Sequence, residues 1–354
     1  MSAVTAVPQH AVDAVRASAR RGRRRSRAVG TTLTAVALAL AGAALMLGDY
    51  DVPPGELAQV LAGQGSGLAD FVVLDLRLPR LTMGVLVAVA FGLSGAVFQA
   101  VLRNPLASPD IIGVSGGASV GAVLALVVLG LSGPWVSLTA FGAALAVAAA
   151  TYLLSWNGGV AGQRFVLTGV GLAFVAGSVL GYLLTRSDVH DAQTAMVWMV
   201  GSLGSPDWDA IALVAIALVA LVPLTAAAVS RLRLLQLGDE TATALGVRSE
   251  PARAGVLVLA VALAAVATAA VGPVAFVAFT APPVARRLVG DGGPALLMSA
   301  LTAVVIVLSA DLAAQHLLPQ REVPVGIVTG AVGGPFLLWL LATSGRALGR
   351  SGGR

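Results

Sequence analysis

Ten apolar segments separated by short polar stretches follow one another along the chain. They cover residues 28–47, 81–101, 111–130, 135–154, 165–185, 209–229, 254–271, 273–289, 295–314 and 323–343. Because about 17–25 apolar residues in a helix cross the hydrocarbon core of a bilayer, each segment is long enough to span it. The pattern predicts an all-α integral membrane protein with about ten transmembrane helices in two five-helix halves.

Two of the segments are interrupted by proline and glycine. The run from Asn104 to Asp110 leads into the third segment, while Gly272-Pro273 and Pro282-Pro283 bound the eighth. These are the third spans of the two halves, so the match indicates an internal repeat with discontinuous helices near a pathway, where irregular backbone is shielded from lipid. The alternative is that each proline begins an ordinary helix after a simple loop.

The polar stretches divide the chain into three parts. Residues 1–27 contain seven arginines and little apolar patterning, which predicts a disordered cytoplasmic tail. A signal peptide ending in the first apolar segment is disfavoured, because that segment is long enough to span and many spans follow. A transmembrane domain covers residues 28–343 with a cytoplasmic loop at 230–252, and a cytoplasmic tail covers 344–354.

The amino-acid composition also supports an integral membrane protein. The 354 residues are 57% hydrophobic and 11% charged, with a mean hydropathy of +0.91 and no cysteine. Soluble domains carry about 25% charged residues, so soluble, disordered and disulfide-stapled classes are excluded.

The distribution of basic residues indicates how the chain is oriented in the membrane and does not indicate nucleic-acid binding. All 22 are arginine, and with the N-terminal tail inside, eighteen fall on the inner side and four on the outer side. The positive-inside rule therefore predicts that both termini are cytoplasmic in a bacterial cytoplasmic membrane. Without lysine the chain cannot form the GxxxxGK[ST] phosphate loop of an ATPase. Three dispersed histidines and no cysteine make a transition-metal site improbable, and no cofactor is predicted.

The interiors of the spans lack ionisable groups between residues 81 and 101, 111 and 154, and 254 and 285. Ion-coupled carriers need such groups at membrane depth, so the driving energy is expected to come from outside the membrane domain, and a secondary carrier is the less favoured alternative. Asp311, near an outer helix end, is expected to be a solvated cap. A membrane enzyme would need convergent catalytic groups, and none is visible.

The cytoplasmic loop contains one short predicted helix. Asp239 and Glu240 stand near its N-terminus and Gly246 follows Leu245 as a stop signal. Taken alone, this helix is either a solvated connector or a coupling element that sits in a groove of a cytoplasmic motor.

In order and spacing, the motifs between about residues 70 and 343 resemble the FecCD family, the membrane subunits of ABC importers for ferric siderophores, haem and cobalamin. The matching motifs are Arg77-Leu78-Pro79-Arg80, Gly95 with Gln99, Arg103-Asn104-Pro105-Leu106-Ala107, Gly201-Ser202-Leu203, Gly238-Asp239-Glu240, Ala244-Leu245-Gly246-Val247, Gly272-Pro273-Val274-Ala275-Phe276-Val277 and Pro324-Val325-Gly326. Each motif is weak by itself, whereas their order is specific.

The resemblance implies an assembly. Two permease subunits of ten helices each would enclose one path, with a substrate-binding protein outside and two ATPase subunits, which hold ATP and Mg, inside. This chain would perform no covalent chemistry and would work by alternating access. Arg77 and Arg80 would receive acidic residues of the binding protein, with Arg321 as a third candidate; lipid anchoring or a contact with Asp75 is the alternative.

The resemblance also assigns inner and pathway residues. The coupling element would comprise Gly238, Asp239, Glu240, Thr241, Ala244, Leu245 and Gly246. Pathway and gating residues would comprise Gln99, Asn104, Pro105, Pro109, Gly113, Gly272, Pro273, Pro282 and Pro283.

Two departures from the family pattern refine the expectation. Pro283 stands where the family commonly has histidine, and Gln315 stands where many members have a third outer arginine. Gln315, the run from Ser108 to Gly113 and the run from Ala285 to Arg287 resemble one of the two unlike permeases of ferric-enterobactin-type systems. This favours a heterodimer over a homodimer, and a ferric siderophore of catecholate type over haem or cobalamin.

Overall fold

A computed structural model describes residues 9–65, 67–156, 162–236, 238–290, 293–316 and 323–349, and these residues form helices and short connections without a strand. The helices are α1 (Gln9–Met46), α2 (Pro54–Leu61), α3 (Leu68–Asp70), α4 (Leu78–Val101), α5 (Val114–Val123), α6 (Pro134–Ser155), α7 (Gly162–Thr185), α8 (Val189–Val200), α9 (Trp208–Ala227), α10 (Val229–Gln236), α11 (Asp239–Ala244), α12 (Ser249–Val271), α13 (Val277–Val289), α14 (Leu296–His316) and α15 (Val325–Gly349). π-Helical turns at Phe71–Arg77 and Leu124–Val128 precede α4 and extend α5.

Each predicted apolar segment coincides with a helix. Within the described ranges, seven helices are long and apolar enough to cross a membrane, and Val114–Val128 and Val325–Leu340 are shorter apolar helices. The eighth segment forms α13, which has 13 residues and begins only after the Gly272-Pro273 break. The all-α fold predicted from the hydropathy pattern is confirmed.

The N-terminal segment differs from the expectation of disorder. Residues 9–27 continue the first span as part of the 38-residue helix α1, and residues 1–8 lie outside the described residues. Arginine and alanine favour helix, and a span that is already helical removes the cost of nucleation, so the helix extends into this polar stretch.

Helix α4 occupies the centre of the described bundle. It packs against α12, α13 and α14, and its residues from Ala90 to Val101 are all buried. The hydroxyl of Ser94 donates a hydrogen bond of 2.6 Å to the Ala260 carbonyl of α12. At Gly95 the backbone of α13 approaches so closely that an added Cβ would overlap the Ala278 carbonyl. Small residues on α4 therefore set the distance between α4 and its neighbours.

Contacts between helix ends show which ends share a side of the bundle. Arg25 of α1 donates from Nε to the Leu288 carbonyl at the end of α13, at 2.8 Å. At the opposite end of α1, Arg77 donates from Nη1 to the Leu45 carbonyl at 2.9 Å. The N-terminal end of α1 and the C-terminal end of α13 therefore lie on one side, and the start of α4 lies on the other.

We predict that Gly95→Ala destabilises the protein by about 1–3 kcal/mol, because the new methyl group forces α4 and α13 apart. Thermal unfolding in detergent measures the effect. Gly171→Ala in α7 is the matched control, since nothing lies within 4 Å of a Cβ built there. Its melting temperature should stay equal or rise slightly, because alanine favours helix. Equal losses in the two variants would refute the close contact.

Candidate functional site

The outer arginines predicted to dock a binding protein lie at the start of α4. Arg77 is held by carbonyl oxygens at the end of α1 and just beyond, because its Nη2 donates to Tyr50 at 2.5 Å in addition to the bond to Leu45. These acceptors are neutral and orient the guanidinium, and the carboxylates of Asp49 and Asp51 lie near enough to act on its charge. Arg321 lies outside the described residues.

Arg80 forms a buried ion pair with Asp311 of α14. Its Nη2 lies 2.9 Å from Asp311 Oδ1, its Nε lies 3.2 Å from both carboxylate oxygens, and the two side chains are 14% and 6% exposed. Gln315 completes the group by donating from Nε2 to Asp311 Oδ2 at 2.7 Å. Asp311 is therefore a buried partner that joins α4 to α14, and not the solvated cap that the sequence led us to expect.

The break before α5 has its own internal hydrogen bonds. Asn104 Oδ1 accepts from the Leu106 amide at 2.9 Å, and the Asn104 amide donates to the Gln99 carbonyl at 3.2 Å. The Pro109 carbonyl accepts from Val114 at 3.2 Å, and Gly113 adopts a left-handed φ of 86° immediately before α5. These bonds replace the helical ones that Pro105 and Pro109 prevent.

The break before α13 is closed mainly by backbone atoms. The Ser202 amide donates to the Val271 carbonyl at 2.9 Å, and the Gly326 amide donates to the Gly201 carbonyl at 3.1 Å. Gly272 has a φ of 74°, and an added Cβ there would overlap the Trp198 carbonyl. The loop after α8, the break at Gly272-Pro273 and the start of α15 therefore meet at glycines that allow close approach.

The two prolines inside α13 expose backbone carbonyls that α4 covers. Pro283 has no amide hydrogen, so the Phe279 carbonyl four residues earlier loses its helical partner. Gln99 Nε2 donates to that carbonyl at 3.0 Å. Gln99 Oε1 in turn accepts from Arg286 Nη2 at 2.6 Å, and Gln99 is only 4% exposed. One buried amide thus satisfies both the freed carbonyl and the guanidinium of α13.

An apolar cavity of about 400 Å³ lies between α13, α14 and α15. Phe276 and Phe336 contribute aromatic walls, and Thr280, Ser309 and Thr329 contribute the hydroxyl groups. The hydroxyls of Thr280 and Thr329 donate to carbonyls of their own helices, at Phe276 and Gly326. The space beside α13 therefore presents an almost wholly apolar surface.

The predicted coupling segment forms the six-residue helix α11 between two glycines. Gly238 has a φ of 113° and Gly246 a φ of 84°, so both adopt conformations that other residues rarely tolerate. Glu240, Thr241, Ala244 and Gly246 are exposed, and Leu245 is 57% exposed, whereas Ala242 is buried. Gly238 is half-buried; Asp239 begins the helix. One face of α11 packs on the protein and the other is available to a partner.

Arg103 connects this segment to the pathway break. Its Nη2 donates to the Leu235 carbonyl near the end of α10, one connection before α11. Arg103 itself has a left-handed φ of 50° at the turn that follows α4. The contact joins the loop that carries α11 to the residues between α4 and α5.

Sequence reasoning did not assign three of these contacts. Arg103 and Arg286 belong to motifs that the sequence brought out, yet neither had a partner assigned, and the Asp311 pairing was missed. One feature of the sequence indicated such a contact: two successive prolines in an apolar helix free two backbone carbonyls, which need hydrogen-bond donors from another helix. Gln99 was the nearest unexplained amide among the motif residues.

Comparisons with known proteins agree over nearly the whole chain. A family model described as the FecCD transport family matches residues 32–343. Ferric enterobactin transport system permease protein FepG of Escherichia coli (strain K12) is 35% identical over 325 residues, covering 90% of this chain and 98% of FepG. Fe(3+) dicitrate transport system permease protein FecD of the same organism is 35% identical over 321 residues, covering 86% and 96%. An inward-facing structure of a metal-chelate type ABC transporter superposes with a TM-score of 0.78 at 26% identity, covering 90% of this chain and 99% of that chain.

We predict that Gln99→Leu destabilises the protein by about 1–3 kcal/mol, because it leaves the Phe279 carbonyl and the Arg286 guanidinium without their shared partner. The matched test introduces Gln99→Leu into a protein that already carries Pro283→Ala, a substitution that restores a backbone N–H donor to the Phe279 carbonyl. The loss caused by Gln99→Leu should then be smaller, as thermal unfolding of the four proteins in detergent would reveal. Identical losses in both backgrounds would mean that Gln99 does not compensate for Pro283.

We predict that Asp311→Asn lowers stability by about 3–5 kcal/mol, since it leaves the Arg80 charge buried without its counter-ion. Adding Arg80→Gln should recover part of the loss. Arg186→Gln is the matched control, because Arg186 lies beside the exposed ring of Tyr182, 5.4 Å from its centre, and should have little effect. Chemical denaturation of the purified variants measures all three; an Asp311→Asn protein as stable as the control variant would rule out a structural ion pair.

Proposed function

The chain belongs to the FecCD transport family, as its motifs predicted, and from this membership we propose that it imports a ferric siderophore of catecholate type by alternating access. The chain is a multi-pass permease subunit of an iron-chelate ABC importer of the cytoplasmic membrane. It is not an enzyme, because ATP hydrolysis in these transporters belongs to a separate subunit.

The cargo is proposed from local patterns rather than from overall identity. FepG is named for ferric enterobactin and FecD for ferric dicitrate, yet both are 35% identical to this chain. Gln315, the run from Ser108 to Gly113 and the run from Ala285 to Arg287 favour the enterobactin-type permeases. The apolar cavity beside α13 is compatible with a large chelate but does not distinguish between cargoes, and haem or cobalamin remains the alternative.

The exposed apolar faces of α7 and α15 are surfaces that lipid or a second permease can cover. Phe174 of α7 is 75% exposed and Leu338 of α15 is 69% exposed. We propose an unlike second permease, two copies of a cytoplasmic ATPase that hold ATP and Mg, and an extracytoplasmic siderophore-binding protein. No cofactor is assigned to this chain.

The observation that carries the proposal is the connection of α11 to the pathway break. α11 exposes Leu245 to a partner, and Arg103 links the preceding segment to the turn after α4. ATP-driven closure of the ATPase subunits would move α11, and the Arg103 bond would pass that movement to the Asn104 turn. We propose that both termini lie on this same cytoplasmic side, as the distribution of arginines predicts.

The outer arginines are proposed to receive the loaded binding protein. The hydrogen bonds of Arg77 go to neutral carbonyl oxygens, so its guanidinium can donate to an incoming carboxylate, which would compete with the nearby carboxylates of Asp49 and Asp51. Arg80 is held by Asp311, so a docking carboxylate would have to compete with an internal one. Arg77 is therefore the principal docking residue, with Arg80 and Arg321 as secondary candidates.

We predict that purification from iron-starved native membranes in mild detergent recovers this chain with an unlike permease and an ATPase that contains GxxxxGK[ST]. Mass spectrometry identifies the partners, and uptake of ferric enterobactin, haem and cobalamin by the reconstituted complex identifies the cargo. Leu245→Arg should reduce recovery of the ATPase about tenfold or more, because it places a charge in an apolar contact.

Leu61→Arg is the matched control for Leu245→Arg. Leu61 is 55% exposed in α2, on the opposite side of the bundle, so its replacement should leave the ATPase bound. Recovery of the ATPase without an unlike permease would replace the heterodimer with a homodimer. Recovery of no ATPase would reject the importer and favour a secondary carrier.

A further inference from the structure

Helix α1 extends well beyond the membrane on its N-terminal side. Its apolar part, residues 28–46, is about 28 Å long at 1.5 Å per residue and matches the hydrocarbon core of a bilayer. The remaining part, residues 9–27, continues without a break and holds all seven arginines that precede the first span. The arginines therefore stand on a rigid helix that begins at the membrane surface.

Five of the seven arginines form one stripe on this helix. At about 100° per residue, the positions of Arg16, Arg20, Arg23, Arg24 and Arg27 fall within an arc of about 100°. All five are exposed. Arg16 lies 3.8 Å from Asp13, but both side chains are at least two-thirds exposed, so the pair does little to neutralise the stripe. We call these five residues the basic stripe.

Arg25 lies on the opposite side of α1 and fixes the direction of the basic stripe. Besides its bond to Leu288, it donates from Nη2 to the Arg287 carbonyl at 3.3 Å, so it covers carbonyls at the C-terminal end of α13. A positive charge at this end of a helix is favourable. Because Arg25 faces α13, the basic stripe faces away from the bundle.

We propose that the basic stripe binds the headgroups of anionic phospholipids in the cytoplasmic leaflet and thereby holds α1 in contact with α13. The proposal rests on the cytoplasmic placement of the termini under the proposed function. Arg23, Arg24 and Arg27 precede the apolar part by at most five residues, which places them at the depth of the headgroups. Arg20 and Arg16 lie about 12 and 18 Å from the span and add a weaker, longer-range attraction to the anionic surface. Guanidinium groups bind phosphate through paired hydrogen bonds, and basic clusters beside a span attract anionic lipid.

Anionic lipid should therefore influence α13 through Arg25. The end of α13 that Arg25 covers follows Arg286, and Arg286 binds the Gln99 that compensates for Pro283. An anchored α1 keeps the guanidinium of Arg25 at the Leu288 carbonyl, while an unanchored α1 can move away from it. The basic stripe binds the lipid, and Arg25 passes the effect of that binding to α13 and so to transport.

The experiment compares the complete importer in nanodiscs of phosphatidylcholine with nanodiscs that also contain phosphatidylglycerol. Native mass spectrometry counts bound phosphatidylglycerol, and ATPase activity is measured in both membranes. Replacing all five stripe arginines with glutamine should weaken phosphatidylglycerol binding on the order of a hundredfold, because the loss of each of the three arginines at headgroup depth costs about fivefold. Replacing them with lysine keeps the charge and should retain most of the binding.

Arg25→Gln separates binding from its consequence. This variant should bind phosphatidylglycerol as the wild type does, while its ATPase activity should no longer respond to that lipid. The proposal is overturned if the five-glutamine variant binds phosphatidylglycerol normally, or if it loses the ATPase subunit instead, which would identify a protein partner for the stripe. A wild-type complex with equal ATPase activity in both membranes rejects lipid dependence alone, whereas absence of an ATPase partner rejects the proposed function.

Discussion

Every backbone group that a broken helix releases inside a bilayer must find a new partner, and this requirement organises the chain around α4. Pro282 and Pro283 deprive the carbonyls of Ala278 and Phe279 of helical donors. α4 covers both positions with residues one turn apart. Gly95 lets the Ala278 carbonyl approach its backbone, and Gln99 donates to the Phe279 carbonyl at 3.0 Å. The same turn of α4 therefore accounts for a close packing contact and for a buried polar network.

The two breaks occur at corresponding places in the two halves but meet the requirement differently. The break before α5 lies on the side of α10 and relies on side chains, chiefly Asn104. The break before α13 lies at the other end of the bundle and relies on backbone pairs at Gly201 and Gly326. In both cases a residue with a left-handed backbone conformation, Gly113 or Phe276, immediately precedes the following helix. Breaks on opposite sides are the arrangement expected of an inverted repeat.

Hydropathy predicted the spans well because the thickness of the bilayer fixes their length, and it does so independently of tertiary structure. Proline and glycine located the breaks for a similar reason, since their effect on the backbone is local. The partners could not be predicted in this way: Arg80 and Asp311 are 231 residues apart, and Gln99 and Arg286 are 187 apart. Composition predicted disorder for residues 1–27 because it treated the polar stretch separately from the first span, whereas residues 9–27 continue that span as part of α1.

Under the proposed function, the contacts at the two ends of α4 would provide a physical route for alternating access. At the inner end, Arg103 binds the Leu235 carbonyl beside α11, and Gln99 binds α13 one turn earlier. At the outer end, Arg77 binds the end of α1 and Arg80 binds α14. A helix of 24 residues is about 36 Å long and stiff, so a tilt imposed at its inner end appears at its outer end with the opposite sense. Movement of α11 would thus strain both the contact with α13 and the Arg80–Asp311 pair. Closure on one side of the membrane would then accompany opening on the other. This coupling needs no ionisable group at the centre of the spans.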